Sequence, residues 1–195
     1  MTESTLRGKK VGFAVCGSFC TFSQCFEALE TLLSLGCDIV PIMSDHAYSI
    51  DTRFGKAADH VKRMEEMCGK SVIHTIADAE PIGPKGMTDI MLVANCTGNT
   101  LAKLAMSITD TPVTMAVKSH IRNRRPVVLN IATNDALAGS AKNIFSLINY
   151  KNYYFVPIRQ DDHVKKPFSL MGDFSAIPEA LAAALDNTQL QPVFC

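Results

Sequence analysis

Four short stretches carry the residue types whose spacing could do chemistry. Thr97-Gly98-Asn99-Thr100 follows the unbroken apolar run 90–94 and opens a helix-favouring segment, 100–105. Gly17-Ser18-Phe19 follows a first apolar run, 10–16, and Ser44 follows a second, 37–43. Asn134 stands after the β-branched run 126–131. Small residues, hydroxyls and amides at such junctions suit binding. Free backbone N–H groups at a helix start attract an anion, and glycine lets a ligand approach the backbone closely. Gly17 with Ser18 is sufficient for a single phosphate, while Ser18 and Asn134 read equally as plain helix N-caps.

Other side chains invite sharper readings. His46, beside Ser44, has a pKa suited to proton transfer but reads also as a surface or capping histidine. Asp161 and Asp162 are adjacent carboxylates able to hold a cation or orient a partner, or they form a solvated loop. Arg122, Arg124 and Arg125 suggest an anion site or a turn. Cys16, Cys20 and Cys25 are spaced more widely than the short pairs of structural zinc sites and have no second cluster, so no metal is expected.

The elements that must position these residues follow from periodicity. The run 90–94 has the length and continuity of a parallel strand buried on both faces. In an open α/β sheet its carboxyl end is where ligands bind. Residues 10–16 form a first strand, Phe22, Phe26, Leu29 and Leu33 recur at helical spacing, and Gly36 ends that helix as a left-handed cap. Residues 37–43 complete a right-handed βαβ unit. One amphipathic helix is expected over 51–69, with Phe54, Ala58, Val61 and Met64 on one face. A short third strand is expected at 71–75, a loop or broken helix at 79–86, and helices at 101–108 and 113–121. Strands at 126–131 and 153–157 and a closing helix at 177–185 complete the series. The glycines after the first strand lack the three-glycine dinucleotide pattern, so no pyrophosphate cradle is evident.

Composition bounds the class. The 195 residues fit one domain, 1–195. Nineteen basic residues balance nineteen acidic ones, leaving no electrostatic footprint for nucleic acid or an anionic membrane. Seven cysteines, an odd number largely inside apolar runs, suggest reduced thiols in a cytoplasmic protein. No apolar run reaches the ~20 residues of a membrane span.

A resemblance enters at the junction after residue 94. Val93-Ala94-Asn95-Cys96-Thr97-Gly98-Asn99-Thr100-Leu101-Ala102-Lys103 resembles the Ala-Pro-x-Ser-Ala-Asn-Thr-Leu-Ala-Lys segment of the homo-oligomeric flavoproteins that include the FMN-dependent cysteine decarboxylases. Gly17-Ser18-Phe19-Cys20 is similar to their Gly-Ser-Ile-Ala loop, and Ile131 to Leu137 to their Pro-Ala-Met-Asn-x-x-Met segment. Within that family, Thr52-Arg-Phe-Gly55, Ala79-Glu-Pro-Ile-Gly-Pro84, Ile121-Arg-Asn-Arg-Arg-Pro126, Thr133-Asn-Asp-Ala-Leu137, Gln160-Asp-Asp162 and Gln189-Leu-Gln-Pro192 resemble the subfamily of dipicolinate synthase B subunits.

The resemblance implies a flavodoxin-like three-layer α/β sandwich with a mostly parallel sheet, in which the first and fourth strands flank the switch point. It implies FMN held by Gly17, Ser18, Phe19, Ser44, Thr97, Gly98, Asn99, Thr100 and Asn134. It further implies oxidation of a dihydrodipicolinate-type precursor during sporulation, in the mother-cell cytoplasm, with NADP on a partner, the A subunit of dipicolinate synthase. A homo-oligomer, trimer-based, is implied, with the tail 187–195 on a neighbouring protomer or partner. No catalytic residue is assigned. Two departures frame the alternatives. Pro81 stands where the decarboxylases have their active-site histidine, which disfavours decarboxylation. Asn95 and Ile131 replace family prolines, which would suit a non-catalytic, structural protein with an empty flavin crevice.

Overall fold

The computed structural model describes residues 2–195. Among them, seven strands make one sheet: β1 (Lys10–Val15), β2 (Asp38–Met43), β3 (Ile90–Cys96), β4 (Val127–Thr133), β5 (Tyr153–Phe155), β6 (Ile158–Gln160) and β7 (Leu170–Gly172). The same described residues form the helices α1 (Thr2–Leu6), α2 (Phe22–Ser34), α3 (Asp45–Ser49), α4 (Ala57–Cys68), α5 (Ile76–Ala79), α6 (Gly98–Ala105), α7 (Pro112–Ile121), α8 (Ala141–Ile148) and α9 (Ile177–Leu185).

Strands β2, β1, β3 and β4 are neighbours in that order and all parallel. Every residue of β3 is buried, as its continuous apolar run requires of a central parallel strand. One face of the sheet packs Phe13, Leu92 and Val128 with Phe26 and Leu29 of α2 and Leu181 of α9. The other packs Met91, Val93 and Leu129 with Leu101 of α6, Val117 of α7 and Ile144 of α8. Two apolar layers enclosing one sheet give the expected flavodoxin-like three-layer sandwich. The chain order reverses at β1, whose neighbours are β2 and β3, so the crevice lies above the carboxyl ends of β1 and β3.

Several elements depart from the sequence expectation. Residues 71–75 contribute one bridge, Ile42 to Ile73, in place of a strand, so the strand expected fourth is the third. The helix expected over 51–69 begins at Ala57, because the Asp51 carboxylate accepts the Ala57 backbone N–H at 2.8 Å and caps it there. Residues 52–55 turn back on themselves. The β6–β7 hairpin has no counterpart in the sequence reading. β5 runs beside β4 only as far as Leu129, and β7 pairs antiparallel with Ala132 and Thr133, so the hairpin rises at the ligand end of the sheet. Gly36, at φ 80°, ends the α2 connection in the left-handed region, as expected.

Within its own chain the tail bonds to β5 and β6. The Gln189 carboxamide donates to Phe155 O at 2.7 Å and accepts from Phe155 N at 2.8 Å. Ile158 N donates to Val193 O at 2.7 Å, and Cys195 N to Ile158 O at 2.9 Å.

Candidate functional site

The crevice is built around Asn95. Register shifts in β3 between Val93 and Cys96, and the fully buried Asn95 side chain crosses to the loop after β1. Its Oδ1 accepts Cys16 N at 2.6 Å. Its Nδ2 lies 3.0 Å from Cys16 O, 3.3 Å from Ser18 O and 3.3 Å from Thr21 Oγ1. A buried amide with these partners locks loop to strand, because leaving any of them unpaired costs desolvation energy. Sequence reasoning placed Asn95 only as a departure from proline.

Thr97 caps α6, its hydroxyl accepting Thr100 N at 3.3 Å. The Thr100 hydroxyl is turned inward, 3.4 Å from the Cys16 thiol. Ser44 continues the chain from β2 and caps α3, accepting Ala47 N at 3.3 Å. Asn134, exposed, stands just beyond β4.

Two basins open over these ends and share Gly17 and Thr97. The first, about 460 Å³, is lined by Ser18, Phe19, Cys20, Thr21, Arg53, Phe54, Ala132, Thr133, Asn134, Asp161, Lys166, Ser169, Leu170 and Met171. The second, about 490 Å³, is lined by Ser44, Asp45, His46, Asn99, Thr100, Lys103, Asp110 and Thr111. Each falls in the range of roughly 300–1,000 Å³ typical of cofactor sites. Their chemistry differs. The second combines four hydroxyls, the Asn99 amide and the α6 N-terminus, whose dipole favours negative charge, with Lys103, His46 and the carboxylates Asp45 and Asp110. Its Asp110 is held below the usual carboxylate range by Lys103, which lies 2.8 Å away. The first combines apolar walls, Phe19, Phe54, Leu170 and Met171, with two cations and amide and hydroxyl donors.

Eight of the nine residues expected to hold a cofactor line these basins; Gly98 does not. A Cβ there would lie 2.5 Å from Ser140 Oγ, 2.7 Å from Asp135 Oδ1 and 2.9 Å from Thr133 Oγ1. Protein packing therefore accounts for that glycine. Asp135 organises this contact, accepting the Thr133 and Ser140 hydroxyls at 2.6 and 2.9 Å and holding the β4 loop against α6. At Gly17 the nearest atom to an added Cβ is His46 Cβ at 3.4 Å. The protein leaves that space to the crevice, as a backbone phosphate cradle requires.

Arg53, Phe54 and the hairpin residues Lys166 to Met171 were not among the expected site residues. The string Thr52-Arg-Phe-Gly55 was the one available signal. His46 lines the second basin. His74 stacks on Tyr48 with ring centroids 3.8 Å apart and so serves packing. Pro81 lies in a 3-10 turn, Glu80–Ile82, packed on α7, and lines neither basin. Asp162 caps the turn at Val164 and Lys165. Arg125 donates to Thr88 O, while Arg122 and Arg124 are exposed in the turn. Among the cysteines, burial pushes the Cys16 thiol up to about 11 and raises Cys25 and Cys96 as well. Cys20 is exposed in the first basin.

Comparison with known proteins agrees with this fold. The family model described as Flavoprotein matches residues 1–163. The B subunit of dipicolinate synthase from Bacillus subtilis (strain 168) is 44% identical over 190 residues, 97% of this chain and 95% of that protein. The crystal structure of the dipicolinate synthase B subunit from Bacillus halodurans C is 38% identical, covers 97% of both chains and superposes with a TM-score of 0.89. The FMN-dependent cysteine decarboxylase SpaF, at 21% identity, shares the fold, with a TM-score of 0.66 over 92% of this chain and 98% of that one.

Proposed function

The chain belongs to the flavoprotein family, and from that premise we propose that it binds FMN across the two basins as one component of a dipicolinate synthase. The observation that carries this reading is the convergence of the loops after β1, β2, β3 and β4 on one crevice. The phosphate belongs in the hydroxyl-lined basin, on Gly17, Ser44, Thr97 and Asn99 at the α6 N-terminus, with Lys103 nearby. The ring belongs over Ser18, Phe19 and Asn134, beside the apolar side chains of Phe54, Leu170 and Met171. FMN bound there supplies a two-electron acceptor.

The chain's own residues bind and orient; the cofactor carries the electron chemistry. The substrate proposed is a dihydrodipicolinate-type compound, oxidised to the aromatic pyridine. Each turnover needs a terminal acceptor, and the sequence carries no pyrophosphate-cradle motif, so the proposed partner is a nicotinamide-binding A subunit carrying NADP. A homo-oligomer and a sporulation role in the mother-cell cytoplasm belong to the same reading. No helix among the described residues is long and apolar enough to cross a membrane.

Two observations weigh against the alternatives. Asn95, the departure that suited an empty crevice, ties down the cofactor loop instead. Pro81 offers no imidazole and stands outside both basins, against a cysteine-type decarboxylase. Fluorimetric titration with FMN tests the reading: affinity no tighter than millimolar, unchanged by Asn99→Ala, rejects it. Pyridine-ring absorbance formed from fresh dihydrodipicolinate then tests the partner. Sustained anaerobic turnover by this chain alone rejects the two-component arrangement.

A further inference from the structure

The first basin holds more positive charge than a flavin ring needs. Arg53 enters it from the α3–α4 connection, its guanidinium 4.8 Å from the centroid of the Phe54 ring. Among the described residues no carboxylate pairs with it. Lys166 enters from the β6–β7 connection, its Nζ 2.7 Å from Asp161. That connection is preorganised: Lys166 N donates to Asp162 O at 2.7 Å, and Gln160 Nε2 to Pro167 O at 2.8 Å. Arg53, Lys166 and Asp161 together leave the basin one net positive charge.

The phosphate reading uses the second basin, so Arg53, together with the donors Lys166 has left beside its pair with Asp161, is available to a different anion. Their surroundings describe it. Phe54, Leu170 and Met171 offer apolar contact to a flat ring, while the Asn134 amide adds a hydrogen-bond donor. A planar guanidinium takes a carboxylate through two parallel N–H bonds, whereas an ammonium acts as a point charge. We propose that Arg53 and Lys166 form a binding site for a planar ring bearing two carboxylates, each cation taking one. The identification of the ring rests on the flavin reading above. Arg53, free of a carboxylate, holds the stronger contact. Lys166 divides its donors between Asp161 and the ligand, and Asp161 selects against anions that bring more charge than Lys166 offsets.

The test is calorimetric titration of pyridine-2,6-dicarboxylate into the full chain, with and without FMN, alongside a separate FMN titration of each variant. Arg53→Gln is expected to weaken the dicarboxylate roughly tenfold or more, the loss of a charge-assisted contact, and Lys166→Gln by a smaller factor. FMN affinity is expected to stay within about twofold in both variants. Pyridine-2-carboxylate is expected to bind more weakly than the dicarboxylate. Absence of dicarboxylate binding to either form overturns the proposal, as does binding indifferent to both variants. So does an Arg53→Gln variant that loses FMN as strongly as dicarboxylate, because the cations would then serve the phosphate. Failure of the unaltered chain to bind FMN rejects the flavin reading instead, and the flavin-free titration still reports on Arg53 and Lys166.

Discussion

Asn95 and Cys16 exchange a pair of hydrogen bonds, Cys16 N to Asn95 Oδ1 at 2.6 Å and Asn95 Nδ2 to Cys16 O at 3.0 Å, so that one side chain takes the place of a strand partner for the loop after β1. Asn95→Leu keeps the branched heavy-atom shape and removes the amide. It is expected to cost about 2–3 kcal/mol, since a buried N–H and C=O are left unpaired. Urea denaturation measures that loss. A variant as stable as the parent would mean the loop holds itself.

The two glycines of the crevice separate fold from binding. Gly98→Ala is expected to lower stability by about 1–3 kcal/mol, as overpacking does, because its Cβ meets Ser140, Asp135 and Thr133. Gly17→Ala has room, its nearest neighbour being 3.4 Å away, and is expected to leave the melting temperature within a few degrees while weakening FMN. The opposite ranking in thermal melts would show that the β1 loop is packed and the α6 start is not.

His120 is expected to make the protein acid-sensitive. Its ring is buried between Thr88 and Pro126, Nδ1 2.8 Å from the Thr88 hydroxyl and Nε2 2.9 Å from Pro126 O. Burial depresses its pKa from 6.5 to about 4; Arg125 adds to the fall, while the Pro126 hydrogen bond and Asp89 oppose it. With the folded pKa below the unfolded one, the unfolded chain binds a proton that the native chain refuses. Stability is therefore expected to drop as pH falls from about 6.5 to about 4, by about 3 kcal/mol across that window. Denaturation midpoints at several pH values, compared with those of His120→Gln, measure it. A variant with an unchanged pH slope would assign the effect to other groups.

Thiol labelling maps the crevice. Cys20 and Cys195 are exposed, whereas Cys16, Cys25, Cys37 and Cys96 are buried. The thiolate is the reactive form, so two cysteines are expected to label quickly and the buried four only on unfolding. Because Cys20 lines the first basin, FMN is expected to slow its labelling and not that of Cys195. Equal protection of both, read by mass spectrometry, would point to a global change.

Much of the fold was legible because buried parallel strands are continuous apolar runs, and β1, β2, β3 and β4 all read that way. The junction residues followed, since each run ends where a small or polar residue begins. What escaped had physical reasons. Phe54 keeps helical spacing with Ala58 and Val61, but the Asp51 carboxylate starts α4 three residues later, so Arg53 and Phe54 fall into the crevice wall. Strands β6 and β7 are three residues each and enclose a polar, lysine-rich turn, too short for alternation to register. The Asn95 side chain is unremarkable in sequence; only the β3 irregularity turns it toward β1. The packing around Gly98 was not legible because neither the β4 loop nor Ser140 is near it along the chain.

The tail and the outer strands together limit how copies of this molecule can meet. Gln189 occupies the hydrogen-bonding positions of Phe155, and Val193 and Cys195 occupy those of Ile158. At the other margin, Pro41 has no N–H to offer, Ile73 bonds both Pro41 O and Met43 N, and Lys70 Nζ caps Ile39 O. An unpaired strand edge is a template for another chain, and here a newcomer to β2, β5 or β6 must first displace the molecule's own cover. Growth by strand addition is therefore blocked at these margins, and side chains projecting from helices and loops are the surface left for contact with another copy.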